Sequence, residues 1–179
     1  MDTPLSLEEI ALRAGLAAAM GLCIGWDRER NNKAAGLRTM ALVSLGSAGM
    51  VLASVEVSAA MAAEGTPFDP MRVAAGVVGG VGFLGAGSII HASGTVRGMT
   101  TAATIWAASG LGIACGLGLY RLAGVLFVLV LIILIALQPL KGSVLPEGDP
   151  HADRDGAGPS PRADQTPRSD DPSAAKSSA

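Results

Sequence analysis

The side chains with chemical capacity in this 179-residue chain are few and clustered. Asp27, Arg28, Glu29 and Arg30 are contiguous, with Lys33 and Arg38 close behind, and His91 and Arg97 fall in a second polar stretch. The carboxylates of Asp27 and Glu29 are hard oxygen donors of the type Mg²⁺ takes. The flanking arginines repel a cation, so the ordinary reading is a solvated, locally paired loop and the sharper one a partner surface. Glu56 is the one acid inside an apolar stretch. A charge there must be paired or reach an interface, and Arg13 or Arg72 is its expected partner. A proton- or cation-linked site at Glu56 is the alternative. Asp27, Glu29 and Glu56 are therefore the weak metal-ligand candidates. His91 and His151 have no second His or Cys at metal-ligand spacing. Gly80, Gly82 and Gly85 match G-x-G-x-x-G, but no strand precedes them and they lie in an apolar run, which removes the dinucleotide reading. No nucleophile–base pair is visible, so the expectation is a non-enzyme that uses no cofactor. No basic patch and few aromatics speak for nucleic acid.

The elements that must carry these residues are apolar. Half the residues are hydrophobic and 16% are charged, with mean hydropathy +0.46. A soluble domain carries about 25% charge. The charge is concentrated in short clusters and in the last stretch of chain, and the apolar runs between them approach the length that crosses about 30 Å of hydrocarbon. Five spans are predicted, at about 10–26, 39–57, 73–90, 100–118 and 122–137. The break between the last two is marked by Gly116, Gly118, Tyr120 and Arg121, since one unbroken helix would be about 57 Å long. The fold class is an all-α membrane bundle, over 1–141, followed by a polar tail over 142–179 expected to be disordered. The acidic start, with Asp2, Glu8 and Glu9, lacks the basic region of a secretory signal, so the first run is expected to remain as a span.

Lys and Arg in short loops favour the cytoplasm. Arg28, Arg30, Lys33, Arg38, Arg97 and Lys141 set the first and third loops and the C-terminus there, and the N-terminus outside. Arg13, Glu56, Arg72 and Arg121 then fall near the outer ends of spans. Cys23 and Cys115 fall near opposite faces, too far apart to bridge, and are expected as buried free thiols.

The third span carries Gly76, Gly79, Gly80, Gly82, Gly85 and Gly87. Small residues at four-residue spacing let helices approach closely in lipid, which predicts a central packing helix; a broken segment lining an ion path is the alternative. Thr100 and Thr101, after Gly98, are expected to cap the fourth span. Trp106 is expected to pack inside the bundle.

Three runs in order, GWDRERNNKAAGLRTMALVSLGSA, RVAAGVVGGVGFLGAGSII and VRGMTTAATIWAASGLGIACGLGLYRLA, resemble motifs of the MgtC/SapB family of bacterial inner-membrane proteins. Arg28, Glu29, Gly36, Leu37, Arg38 and Thr39 match the first motif. Gly82, Phe83, Gly85, Ala86, Gly87, Arg97, Gly98, Thr100, Thr101, Ala102, Ala103 and Trp106 match the later ones. Family members usually have Glu where Asp27 stands and often His where Met40 stands. The soluble C-terminal domain of virulence-type members is replaced by the polar tail, so the chain resembles the shorter, SapB-like form. The resemblance implies a non-enzymatic plasma-membrane protein linked to magnesium homeostasis and low magnesium. Its expected partners are the lipid bilayer and another membrane-protein complex, such as an F-type ATP synthase, or a second copy. Docking is expected through Arg28, Glu29, Gly36, Arg38, Thr39, Arg97, Gly98, Thr100 and Thr101. A Mg²⁺ or other cation transporter, or an accessory subunit of one, is the rival implication.

Overall fold

The computed structural model describes residues 5–92 and 95–136; the tail over 142–179 lies outside the described residues. Five helices run in order: α1 (Leu7–Arg30), α2 (Leu37–Ala63), α3 (Pro70–Gly87), α4 (Met99–Gly116) and α5 (Tyr120–Ala136). Between α3 and α4 lies a short hairpin of β1 (Ile90–Ala92) and β2 (Thr95–Arg97), antiparallel with His91 opposite Val96. The hairpin was not legible as such. It ends α3 at Gly87, three residues short of the predicted span, and places Ile90 and His91 on a strand.

Helix ends follow local chemistry. Ser6 caps α1 by accepting from the Glu9 N–H at 3.2 Å, and Asp69 caps α3 by accepting from the Met71 N–H at 2.9 Å, with Pro70 at the first helical position. The turn expected between α4 and α5 is present. Gly118 takes φ +74, and the N–H groups of Gly118 and Leu119 donate to the carbonyls of Cys115 and Ala114, both at 2.9 Å. This paired closure satisfies the last carbonyls of α4 and needs a residue tolerant of left-handed backbone.

The centre of the bundle is α1, α2 and α4. α1 runs antiparallel to α2, with Gly21 against the Met40 backbone and Gly25 against Leu37. A Cβ at either glycine would come within 2.6 Å of that backbone. α4 lies against α2 in the same manner. A Cβ on Gly112 would collide with the Ser44 carbonyl, and one on Gly116 would meet the Ala48 carbonyl and Val51 at 2.9 Å. These approaches are close enough for hydroxyls to bond across them. Ser44 donates to the Ala17 carbonyl at 2.8 Å, and the Ser47 and Ser109 hydroxyls share a bond of 2.8 Å.

The glycine-rich α3 is not the packing centre within this chain. Where a Cβ would stand on Gly76, Gly79, Gly80, Gly82 and Gly87 there is open space; Gly85 alone of the six touches a neighbour, Ala102 at 3.5 Å. α3 buries only Ala74, Val81 and Gly85. Trp106 also departs from expectation, being 56% exposed on the outside of α4. Cys115 is buried as expected, whereas Cys23 is exposed.

Polar side chains enter the apolar core, and many large apolar ones face outward. Arg13, Arg28, Ser44, Ser47, Ser54, Thr101, Thr104 and Ser109 are buried, while Leu42, Met50, Phe83, Val125, Leu129 and Ile133 are exposed. α5 is apolar from Leu122 onward yet buries only Ala123. Water would oppose so much exposed apolar surface; lipid does not. By length and composition, α2 and α3 are the two helices in the described residues that could each cross a membrane, and α5 is a shorter apolar helix of 17 residues.

Candidate functional site

Two charged ends flank the central three helices, and each is built on a buried arginine of α1. At one end α1 finishes while α2 and α4 begin. Arg28 is 4% exposed, and its Nη2 donates to Thr101 Oγ1 at 2.5 Å. Arg28 Nε is buried with no hydrogen-bond partner among the described residues. Burial pulls the Arg28 guanidinium below the ordinary arginine value, and the adjoining Asp27 carboxylate opposes that shift. Arginine stays charged through such a shift. Asp27 accepts from Asn31 Nδ2 at 3.1 Å.

Glu29 faces the other way. Its Oε2 accepts from the Leu37 N–H at 2.9 Å, the first N–H of α2. The N-cap residue Gly36 offers no side chain, and a Cβ there would stand 2.6 Å from Glu29 Oε2. So Glu29 and Gly36 form one device: the glycine leaves room, and the carboxylate meets the positive end of α2. The loop between them holds Asn32 at φ +51 and Ala35 at φ +57. Substituting Glu29 by Ala is expected to lower stability by about 1 kcal/mol, the usual worth of an N-cap. Thermal unfolding in detergent checks this, and Gly36→Ala should give a similar loss by displacing the carboxylate.

The remaining residues of this end divide by exposure. Arg38, Thr39, Arg97 and Thr100 are exposed, whereas Thr101 is buried. The expected threonine cap of α4 is not formed. Gly98 is the N-cap, at φ +93 with no side-chain bond, and Thr101 is engaged by Arg28 instead. Glycine is required at 98, because a Cβ would collide with the Ser88 carbonyl at the end of α3. Thus Arg28, Glu29, Gly36, Gly98 and Thr101 are tied into the helix junction, and Arg38, Thr39, Arg97 and Thr100 form its outer surface.

At the opposite end Arg13 is 3% exposed. Its Nη1 donates to the Gly116 carbonyl at 2.9 Å, and its Nη2 pairs with Glu9. Gly118 packs on the guanidinium, with a Cβ there standing 3.0 Å from it. A cation at the C-terminus of α4 is well placed against the helix dipole. The anticipated pairing of Glu56 with Arg13 or Arg72 is not found: Glu56 Oε1 accepts from the Leu5 N–H at 2.7 Å, while Arg13 takes Glu9. A four-residue spacing on α1 gives Arg13 a closer acid than one on α2.

The three weak metal candidates do not converge. Asp27 and Glu29 sit where α2 begins, and Glu56 lies 19 residues beyond Leu37 along α2, about 29 Å at 1.5 Å per residue. Among the described residues no group of three His, Cys, Asp or Glu stands close enough to hold a metal ion.

Gly21–Gly25 and Gly112–Gly116 make the close helix contacts, although packing is not expected from them in the sequence. Both have the same four-residue spacing as the glycines of α3, which is the signal that marks them.

Fold and site together define a five-helix bundle with a buried arginine at each end of its central helices, in which α2 and α3 are long and apolar enough to cross a membrane. The chain belongs to the MgtC family, whose family model matches residues 15–143. It is 44% identical over 105 residues to "Protein MgtC" of Salmonella typhimurium, covering 59% of this chain and 42% of that one. It is 39% identical over 131 residues to "Protein SapB" of Bacillus subtilis, covering 68% and 54%. "Protein MgtC" of Brucella abortus is 41% identical over 124 residues, covering 69% and 49%. The chain thus spans about half the length of these relatives. No solved protein structure matches it.

Proposed function

We propose that this chain is a multi-pass protein of a bacterial inner membrane that supports adaptation to low magnesium by contacting another membrane protein, without enzymatic activity and without conducting the ion. In this reading all five helices cross the bilayer. The junction carrying Arg28 and Arg38 faces the cytoplasm, as the excess of Lys and Arg there favours, and the N-terminus is outside.

The observation that carries the reading is the closure of the central core by Arg28 at one end and Arg13 at the other. A divalent cation entering between α1, α2 and α4 would meet a buried guanidinium at either mouth. The interior hydroxyls of Ser44, Ser47 and Ser109 are neutral and held by bonds to protein, and among the described residues no carboxylate stands with them to offset a divalent charge. The surface that invites a partner is the outer face of α3, with open space at Gly76, Gly79 and Gly80 and with Phe83 80% exposed. Exposed Trp106 and the exposed Arg38 and Arg97 complete the docking surface.

Complementation tests this. A host strain lacking the protein is restored for growth in low magnesium by the wild-type chain. Gly80→Leu is expected to fold and insert normally yet fail to restore growth, because it fills the docking face and no neighbour in its own chain. Full restoration by Gly80→Leu would contradict the proposal.

A further inference from the structure

α1 buries Ala17, Met20, Ile24 and Arg28 on one side, and its opposite side is uncovered. Leu12, Ala19, Leu22, Trp26 and Arg30 recur at helical spacing along that outer side, and all are exposed. Their order is graded. Leu22 and Trp26, 44% and 64% exposed, are followed one turn later by Arg30, and Lys33 is exposed in the loop beyond. Trp26 stands about 6 Å short of Arg30 along the helix, at 1.5 Å per residue. Among the described residues neither Arg30 nor Lys33 has an ion pair, and the Trp26 indole N–H has no acceptor. Glu29, the exposed acid beside them, accepts from the Leu37 N–H, and Asp27 accepts from Asn31. The ligand that complements this side carries, in order, an anion, a hydrogen-bond acceptor and a hydrocarbon chain.

We propose that the outer side of α1 binds an anionic phospholipid. Its headgroup lies at Arg30 and Lys33, its ester carbonyls lie at the Trp26 indole, and an acyl chain lies along Leu22 and Ala19. Tryptophan is at home at that depth, and long basic side chains reach past it to the headgroups. Two unpaired cations favour a net-negative headgroup over a zwitterionic one, each by about five-fold near the surface. The proposal rests on the membrane placement given above, with this end of α1 in the cytoplasmic leaflet. It uses none of the partner surface on α3 and α4.

The test uses the full chain carrying Trp106→Phe, which leaves Trp26 as the reporting tryptophan. The protein is reconstituted in phosphatidylcholine vesicles in which a fixed minor fraction of the lipid is dibrominated, because bromine quenches an indole that it touches. Dibrominated phosphatidylglycerol is compared with dibrominated phosphatidylcholine. Phosphatidylglycerol is expected to quench as if enriched at Trp26 by at least about five-fold. Arg30→Gln combined with Lys33→Gln should reduce the enrichment below about two-fold. Arg30→Lys combined with Lys33→Arg keeps both charges and should keep the enrichment. Arg72→Gln, an exposed change at the start of α3, should leave it unaltered. Equal quenching by the two lipids would overturn the proposal and leave the membrane placement standing. Quenching by neither would overturn both. Full enrichment in the double glutamine variant would also overturn the proposal, since another surface would then hold the lipid.

Discussion

Replacing Gly112 by Ala is expected to cost about 2–3 kcal/mol, and Gly112→Leu to give no stably folded protein. The new Cβ would occupy the position of the Ser44 carbonyl and press on Ser47. Neither obstacle is the flexible end of a side chain. The Ser44 carbonyl belongs to the α2 backbone, so relief requires α2 and α4 to separate. Separation also breaks the Ser47–Ser109 bond and exposes the packing around Leu111 and Cys115, which are almost wholly buried. Overpacking of this kind costs about 1–3 kcal/mol even where side chains can adjust. The control is Gly79→Ala. Nothing lies within 4 Å of its Cβ, and Ala is favoured over Gly in a helix by about 1 kcal/mol, so that variant should unfold at or above the wild-type midpoint. Opposite signs for two Gly→Ala changes, read by thermal unfolding in one detergent, would locate the packing seam on α4 and not on α3.

Arg13→Ala carries the second large effect, a loss of about 2–4 kcal/mol. Three consequences add. The Gly116 carbonyl, near the end of α4, loses its donor. Glu9 loses its cation, though Glu9 is 39% exposed and this part is weakened by solvent. The space beside Gly118 is left unfilled. An orphaned buried carbonyl alone costs about 1–3 kcal/mol. Arg13→Lys should recover part of the loss, because the charge remains near the end of α4 while the planar fork is gone. Urea or thermal unfolding of the two variants measures both. Equal stability of Arg13→Ala and wild type would mean that this end is not closed by the guanidinium.

The two arginines explain what the sequence could and could not convey. The apolar runs and the glycine break after Gly116 predicted the helices, because length, hydropathy and turn chemistry are local properties. Which face of a helix meets a neighbour is not local. The same four-residue spacing of small residues occurs on α1, α3 and α4, yet it is used within the chain on α1 and α4 and left open on α3. Only the neighbouring backbone decides between them. Trp106, expected inside because its position along α4 is not at an interface, instead points out, and the buried face of α4 is formed by Thr101, Thr104, Ile105, Ala108 and Leu111.

The charged junction was legible as a unit and misread in its roles. Arg28 to Arg38 and Arg97 to Thr101 were placed on one face by loop charge, and the Arg28–Thr101 bond joins the two segments directly. Glu29, by sequence a candidate metal ligand or docking group, meets the first N–H of α2 across an eight-residue gap that no short motif describes. Thr101 stands where a threonine usually caps a helix start, but a buried arginine from α1 takes its oxygen. Glu56 meets a backbone N–H, that of Leu5, and not the arginine its charge suggests. Competition between acids for Arg13 is settled by helix geometry, which favours Glu9 at four-residue spacing.

The proposal that the bundle conducts no ion is the centre of the functional account, and proteoliposomes test it directly. Purified protein sealed into liposomes around a Mg²⁺-sensitive dye should admit external Mg²⁺ no faster than protein-free vesicles, with or without an imposed membrane potential. Saturable uptake above that level, abolished by Glu56→Gln, would contradict the account and assign the chain to ion transport.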